Sequence, residues 1–282
     1  MSLSASSLPQ SVIITMLRAA GCVFAEDEAQ LLISAARTPA DLAAMVERRA
    51  AGLPLEHVLG WAEFCGLRIA VDRGVFVPRR RTEFLIRQAA ILARLAARPA
   101  GQALGRSRVV VVDLCCGSGA MGAALIAALD RVELYAVDID PAAVQCARRN
   151  LGAAGAQVYE GDLYEPLPAK LRGRVDVLVA SAPYVPTDAI RLLPPEARVH
   201  EPRVALDGGA DGLDVVRRVT AAAKPWLAPG GYLLVETSER QAPQTAGAVA
   251  RDGLIPRVVS SDELNATVII GTRPALQSGR DG

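Results

Sequence analysis

The chain has 282 residues, 51% of them hydrophobic and 22% charged, which permits a large buried core and excludes an intrinsically disordered polymer. Its formal charge of +1 lacks the basic excess that marks nucleic-acid binders, so a protein partner or a small molecule is favoured. The five cysteines form no C-x-x-C pair and the two histidines stand alone, so no metal site is expected and Cys115–Cys116 is read as two small side chains in a turn.

No basic segment precedes an apolar stretch near Met1, and Arg18 interrupts the only candidate, so no signal peptide is expected and the cytoplasm is the expected location. Nor does any segment approach the roughly 20 apolar residues that a membrane span requires. In chain order, Pro9 to about Ala51 carries apolar residues at helical spacing, with Asp41 as a capping candidate, and predicts a bundle of short helices. Residues Leu67 to Asp72 alternate, and Arg73-Gly74 reads as a turn before Val75 to Val77, which predicts a β-hairpin. Thr82 is placed to cap a helix reaching about Ala97, and Arg98 to Arg108 reads as a connecting loop. The expected domains are 1–60, helical and suited to substrate recognition, 61–80, a hairpin linker, and 81–282, a larger α/β domain.

Four valines from Val109 to Val112 open the second half and run into Asp113, Leu114, Cys115, Cys116, Gly117, Ser118 and Gly119, a buried strand leading through a Gly-rich turn to a helix. About 25 residues on, the apolar strand beginning at Leu134 ends in Asp138, the separation of one βαβ unit that carries an acid to a ribose diol. Further strands at Gln157, Val175 and Tyr232 alternate with helices at Pro141 to Leu151 and Asp214 to Leu227, predicting a doubly wound α/β sheet. A final strand pair is expected at Arg257 to Ser260 and Ala266 to Gly271, before a frayed tail at Gln277 to Gly282.

The chemistry of these residues points to a nucleotide-type cofactor. Gly117 and Gly119 let backbone approach a ligand, and the helix that follows offers free N–H groups to a carboxylate. Asp113 suits holding the turn or accepting from a ligand ammonium, while Asp138 can accept two hydroxyls at once. Asp162 stands where an adenine amino group could donate, with Leu163 as apolar cover, a reading favoured over the alternative that Asp162 caps a helix; Tyr164 could be core. Gly117, Gly119 and Gly122 also satisfy the dinucleotide spacing, so this motif alone does not separate NAD from S-adenosylmethionine. Asp162 and the turn Ser181-Ala182-Pro183-Tyr184 after the Val175 strand favour S-adenosylmethionine, since a dehydrogenase requires neither.

With those motifs in view, the chain resembles the glutamine-N5 protein methyltransferases, which modify bacterial release factors and one ribosomal protein. The resemblance runs over nearly the whole length: Gly52 to Gly60 with Glu63 and Phe64, Val77-Pro78-Arg79 with Thr82-Glu83, the segment Glu201 to Asp214, and Gly230 to Glu236. It implies a Rossmann-like class I methyltransferase domain behind a helical domain and a hairpin. It also implies S-adenosylmethionine as cofactor, held by Asp113, Gly117, Gly119, Asp138 and Asp162 and lined by Cys115, Cys116, Ser118, Leu163 and Ser181.

The family hallmark is Asn-Pro-Pro-Tyr, where the Asn oxygen and a turn carbonyl accept the two hydrogens of the substrate amide. Here Ser181, Ala182, Pro183 and Tyr184 take that place as the implied catalytic and substrate-binding residues. An amide nitrogen is a poor nucleophile, so catalysis rests on orientation and charge stabilisation. Ser181 has a shorter reach and no carboxamide, and the loss of one positioned contact costs ~10² to 10³ in rate. The expected acceptor is a glutamine amide of a protein such as a release factor; the alternatives are a peptide, small metabolite or nucleic-acid base, and a cofactor-binding homologue without turnover. An NAD enzyme stands behind these. Arg79, Arg80 and Arg81 oppose the dipole of the helix that follows them, so they either form a solvated turn or meet acidic groups on a partner. His57 and His200 are read as structural.

Overall fold

The computed structural model describes residues 8–96 and 108–275. The loop expected at 98–108 falls outside those residues except for Arg108, as does the tail at Gln277 to Gly282.

Four helices come first: α1 (Gln10–Ala19), α2 (Ala25–Ala35), α3 (Pro39–Ala50) and the short α4 (Leu55–Leu59). Their apolar stripes meet in a core of their own, built on Ile13, Leu17, Leu32, Met45 and Val46. The cap of α3 differs from expectation. Thr38 accepts from Asp41 N, and the Asp41 carboxylate reaches back to Arg37 N, so Asp41 is the third helical residue and Thr38 the cap.

The hairpin pairs β1 (Trp61–Phe64) with β2 (Leu67–Ala70) in antiparallel register. Its tip is Cys65-Gly66, both with positive φ (50° and 73°), the geometry of a two-residue hairpin turn. The turn expected at Arg73-Gly74 therefore does not join two strands. Val75 and Val77 instead bury their side chains beside Ala62, Ala143 and Cys146. Thr82 is buried in a 3-10 turn, Arg80–Thr82, and makes no capping bond to α5 (Glu83–Ala96).

The sheet follows with β3 (Val109–Leu114), α6 (Ala120–Ala128), β4 (Val132–Asp138), α7 (Pro141–Leu151), β5 (Gln157–Glu160) and β6 (Val175–Ala180). Then come α8 (Pro195–His200), α9 (Asp214–Ala223), β7 (Leu227–Thr237), α10 (Ala242–Arg251), β8 (Ile255–Ser261) and β9 (Ala266–Thr272). The stretch expected as one helix from Asp214 to Leu227 is thus α9, which stops at Ala223; Leu227 is already paired with Val175 in the sheet. Strand order is β5-β4-β3-β6-β7-β9-β8, parallel except for the pairings of β9. All six residues of β3 and of β6 are buried, as central strands covered on both faces must be. The chain winds one way from β3 and the other way from β6, and the crevice at their carboxyl ends is where α/β sheets bind ligands.

Two cores sandwich the sheet. One gathers Val112, Leu178, Trp226 and Leu233, and the other packs α5 and α6 together with Phe64 and Ile69 of the hairpin. The helical bundle is tied on by Arg49, whose Nε donates to Glu28 Oε2 and whose Nη1 donates to Glu196 Oε1 of α8, each at 2.6 Å. Its side chain is only 6% exposed, and a charge so buried is retained only when paired. No helix among the described residues is long and apolar enough to cross a membrane.

Candidate active site

The Gly-rich turn after β3 is shaped by backbone that few side chains tolerate. Cys115, Gly117 and Gly119 have φ of 55°, 55° and 78°. A Cβ on Gly117 would meet nothing within 4 Å, because the residue faces an open cleft. Gly119 and Gly122 serve packing instead: a Cβ would lie 2.9 Å from Leu151 at the first and 2.7 Å from Leu134 at the second. Asn150 fixes the turn from behind. Its Nδ2 donates to Ser118 O (2.8 Å) and Ala70 O (2.9 Å), and its Oδ1 accepts from Ala70 N (3.0 Å), joining turn, α7 and hairpin.

Asp113 is fully buried and its Oδ2 accepts from Gly122 N at 3.0 Å. Of the two roles open to it, holding the turn is the one it performs, and it does not line the cleft. Burial, with the charge of Asp138 adding to it, pushes the carboxyl up to about 8. Asp138 does line the cleft; Oδ2 accepts from Gly117 N (2.7 Å) and Oδ1 from Asp140 N (2.9 Å). Burial raises its pKa and those backbone donors oppose the rise. Each oxygen keeps a lone pair for a hydroxyl, which suits a ribose diol.

The cleft is further lined by Cys115, Cys116, Gly117, Ser118, Asp162, Leu163, Ser181 and Pro183, together with Phe64, Phe76 and Arg218. Desolvation raises both thiols, so they stay uncharged. Asp162 caps nothing; it pairs with Arg218 Nη2 at 2.6 Å, a partner on α9 that no local motif could have announced. Leu163, with φ of 49°, turns onto the cleft, whereas Tyr164 is core, stacked on Trp226 and donating to Val219 O at 2.7 Å. Gly119 stands outside the cleft lining.

Beside the cleft runs a groove bordered by Ser181, Ala182, Tyr184, Arg79, Arg81, Leu193, Glu196 and Glu236. Ser181 borders both spaces. The segment Glu201 to Asp214 folds behind the turn. Val185 N donates to Leu206 O and Gly208 N to Val185 O, while a Cβ on Gly208 would lie 2.8 Å from Pro183 O. Gln241 Nε2 donates to both Tyr184 O and Asp211 O at 3.0 Å. Tyr184 Oη donates to Glu236 Oε1 at 3.1 Å, and burial beside that carboxylate raises the phenol.

Two of the three arginines meet acids of this same chain, which the sequence reading did not foresee: Arg79 pairs with the buried Glu201 at 2.5 Å and Arg81 with Glu236 at 3.3 Å, while Arg80 and Arg81 are both exposed, as a solvated turn requires. The two acids lie more than a hundred residues away, beyond the range of local pattern. Glu201 Oε1 also accepts from Val77 N, and burial raises its pKa against the pull of Arg79. His57 Nε2 lies 2.8 Å from Val75 O, a structural contact. No cluster of metal-ligating side chains occurs among the described residues.

A Gly-rich turn feeding α6, a cleft-lining carboxylate at the end of β4 and a second cavity at the end of β6 define an S-adenosylmethionine-dependent methyltransferase of the class I fold. Residues 91–192 match the family described as Methyltransferase small domain. A 16S rRNA methyltransferase from T. thermophilus, solved with AdoMet and guanosine, shares the fold at a TM-score of 0.51 and 18% identity, over 76% of this chain and 49% of that one. A release factor glutamine methyltransferase of Geobacter sulfurreducens is 38% identical over 240 residues, covering 83% of this chain and 79% of the relative. This chain belongs to the release factor glutamine methyltransferase family. A relative of Streptomyces pristinaespiralis, 37% identical over 70% of this chain and 65% of its own, is a 4-amino-L-phenylalanine/4-methylamino-L-phenylalanine methyltransferase.

Proposed function

We propose that the chain methylates a glutamine side-chain amide of a release-factor-type protein, with the cofactor in the cleft and the amide in the groove. The observation that carries this reading is Ser181, which borders both spaces, so an acceptor nitrogen beside it adjoins the donor compartment. Bound S-adenosylmethionine supplies an electrophilic methyl group. Asp138 holds its ribose, Gly117 leaves room for its backbone approach, and Leu163 and Asp162 border its base. Ser181 and the turn backbone orient the acceptor, Tyr184 and Arg81 wall it, and Pro183 and buried Ala182 hold the turn rigid. The helices of 1–60 serve recognition of the protein partner, and the segment 61–80 joins them to the catalytic part, 81–282.

The test is methyl transfer from labelled S-adenosylmethionine to purified release factors, by this chain and by its Ser181→Asn variant. Labelling of a Gly-Gly-Gln glutamine by both, faster with Asn, supports the reading. Labelling by the variant alone assigns the native acceptor elsewhere. One observation favours a second reading, in which the acceptor is a small amine: Ser181 lacks a carboxamide, and the Streptomyces relative takes an arylamine.

A further inference from the structure

Glu236 lies near the carboxyl end of β7 and is 2% exposed. Its two oxygens are treated differently. Oε1 accepts from Tyr184 Oη at 3.1 Å and faces Arg81 Nε at 3.3 Å, whereas Oε2 is buried with no partner among the described residues. Leaving a buried charged acceptor unsatisfied is costly, and such a group in a native fold calls for a role.

Topology supplies one. Ala180, the last residue of β6, pairs in register with Val235 of β7, so Ser181, the first residue beyond β6, follows beside Glu236 of β7, about 5 Å away by strand spacing. Both border the groove. Ser181 cannot offer the carboxamide oxygen that an asparagine there would offer to a substrate N–H, and the oxygen without a partner lies one strand away.

We propose that Glu236 Oε2 accepts the N–H of the acceptor nitrogen and takes its proton during methyl transfer. This rests on the groove being the acceptor site. The nitrogen lone pair forms the new N–C bond and the S–C bond breaks with its electron pair kept by sulfur. The N–H proton passes to the carboxylate and from there to solvent. Tyr184 and Arg81 hold Oε1 and thereby fix the orientation of Oε2. The step requires only an acceptor nitrogen bearing a hydrogen, so it applies to an amide and to an amine.

The experiment compares the full-length chain with Glu236→Gln, Glu236→Asp and Arg81→Gln, using a purified release factor and 4-aminophenylalanine as acceptors. Glu236→Gln should lower kcat by about 10²-fold, the scale of acid–base contributions, on the acceptor that the wild-type chain uses. Its calorimetric Kd for S-adenosylmethionine should stay within about twofold, the carboxylate lying outside the cofactor cleft. Glu236→Asp, which keeps a carboxylate, should recover at least about a tenth of the wild-type kcat. Arg81→Gln, which removes one of the two groups that hold Oε1 and leaves Tyr184 in place, should lose less than about tenfold. Three results would overturn the proposal: a Gln variant within about threefold of wild type, an Arg81 variant as slow as the Gln variant, or a folded Asp variant slowed by about 10²-fold. Wild-type transfer to the arylamine and not to the release factor would sink the release-factor reading while leaving the Glu236 comparison intact.

Discussion

Replacing Asp113 by Asn tests the electrostatics beneath the Gly-rich turn. Asp113 is fully buried, one oxygen holds Gly122 N at 3.0 Å, and the other has no partner among the described residues. Its carboxyl rises from 3.8 to about 8 in the fold. The sign follows from proton counting. Between pH ~4 and ~8 the folded state holds a proton that the unfolded state has released, so stability falls as pH rises through that window. The slope is about 1.4 kcal/mol per pH unit, which gives a loss of about 3 kcal/mol between pH 4.5 and 7 from this one group. Asn is neutral at every pH and keeps an oxygen for Gly122 N, so the variant lacks the slope. Its amide brings two donors to the place of an oxygen that had no partner, a constant offset of roughly 1–3 kcal/mol. That offset cancels when two pH values are compared. Urea unfolding of both proteins from pH 4.5 to 8 should show the Asn variant gaining about 4 kcal/mol on the wild type across the range, within a factor of two. Parallel curves would mean that Asp113 is ionised throughout, and the burial argument would fail.

Three further outcomes follow from the site. Gly117→Ala puts a methyl group into the open cleft at a φ of 55°, and should weaken S-adenosylmethionine binding at least about tenfold by calorimetry, while costing only ~1 kcal/mol of stability. Asn150→Ala releases three hydrogen bonds that join the turn to the hairpin; it should cost about 2–3 kcal/mol in denaturant unfolding and weaken cofactor binding in the same samples. Gly212→Ala drives a Cβ to 2.5 Å from Gln241 Nε2, which holds the acceptor turn, and should lower kcat by ~10-fold or more with cofactor affinity unchanged.

The legible parts of this fold were those written in short-range pattern. The valines of β3 and the Pro141 start of α7 place the cofactor half of the sheet from sequence, and the Pro183-Tyr184 turn marks the end of β6. Asp140 caps α7 by accepting from Ala142 N, a signal local to four residues. The hairpin was misplaced because its tip uses Cys65 at a positive φ, a conformation that turn rules assign to Gly, Asn or Asp. Arg79, Arg81 and Arg218 each have partners set by the approach of distant elements, and so were legible as charges but not as contacts. Asn150 and Gln241 were missed for the same reason: their carboxamides bond backbone atoms of segments far away in sequence.

Because Ser181, with Phe76, Arg79, Thr82 and Ala205, borders both clefts, occupants of the two spaces are near neighbours. Ligands in adjoining compartments gain from being joined, since the second arm then binds at the effective concentration set by its tether. A molecule that links an adenosine arm to an amide or arylamine arm through a spacer of a few atoms would span the divide. Its affinity would exceed that of either arm by up to ~10²-fold or more, and enlarging residue 181 would abolish that gain before it abolished the binding of either arm alone.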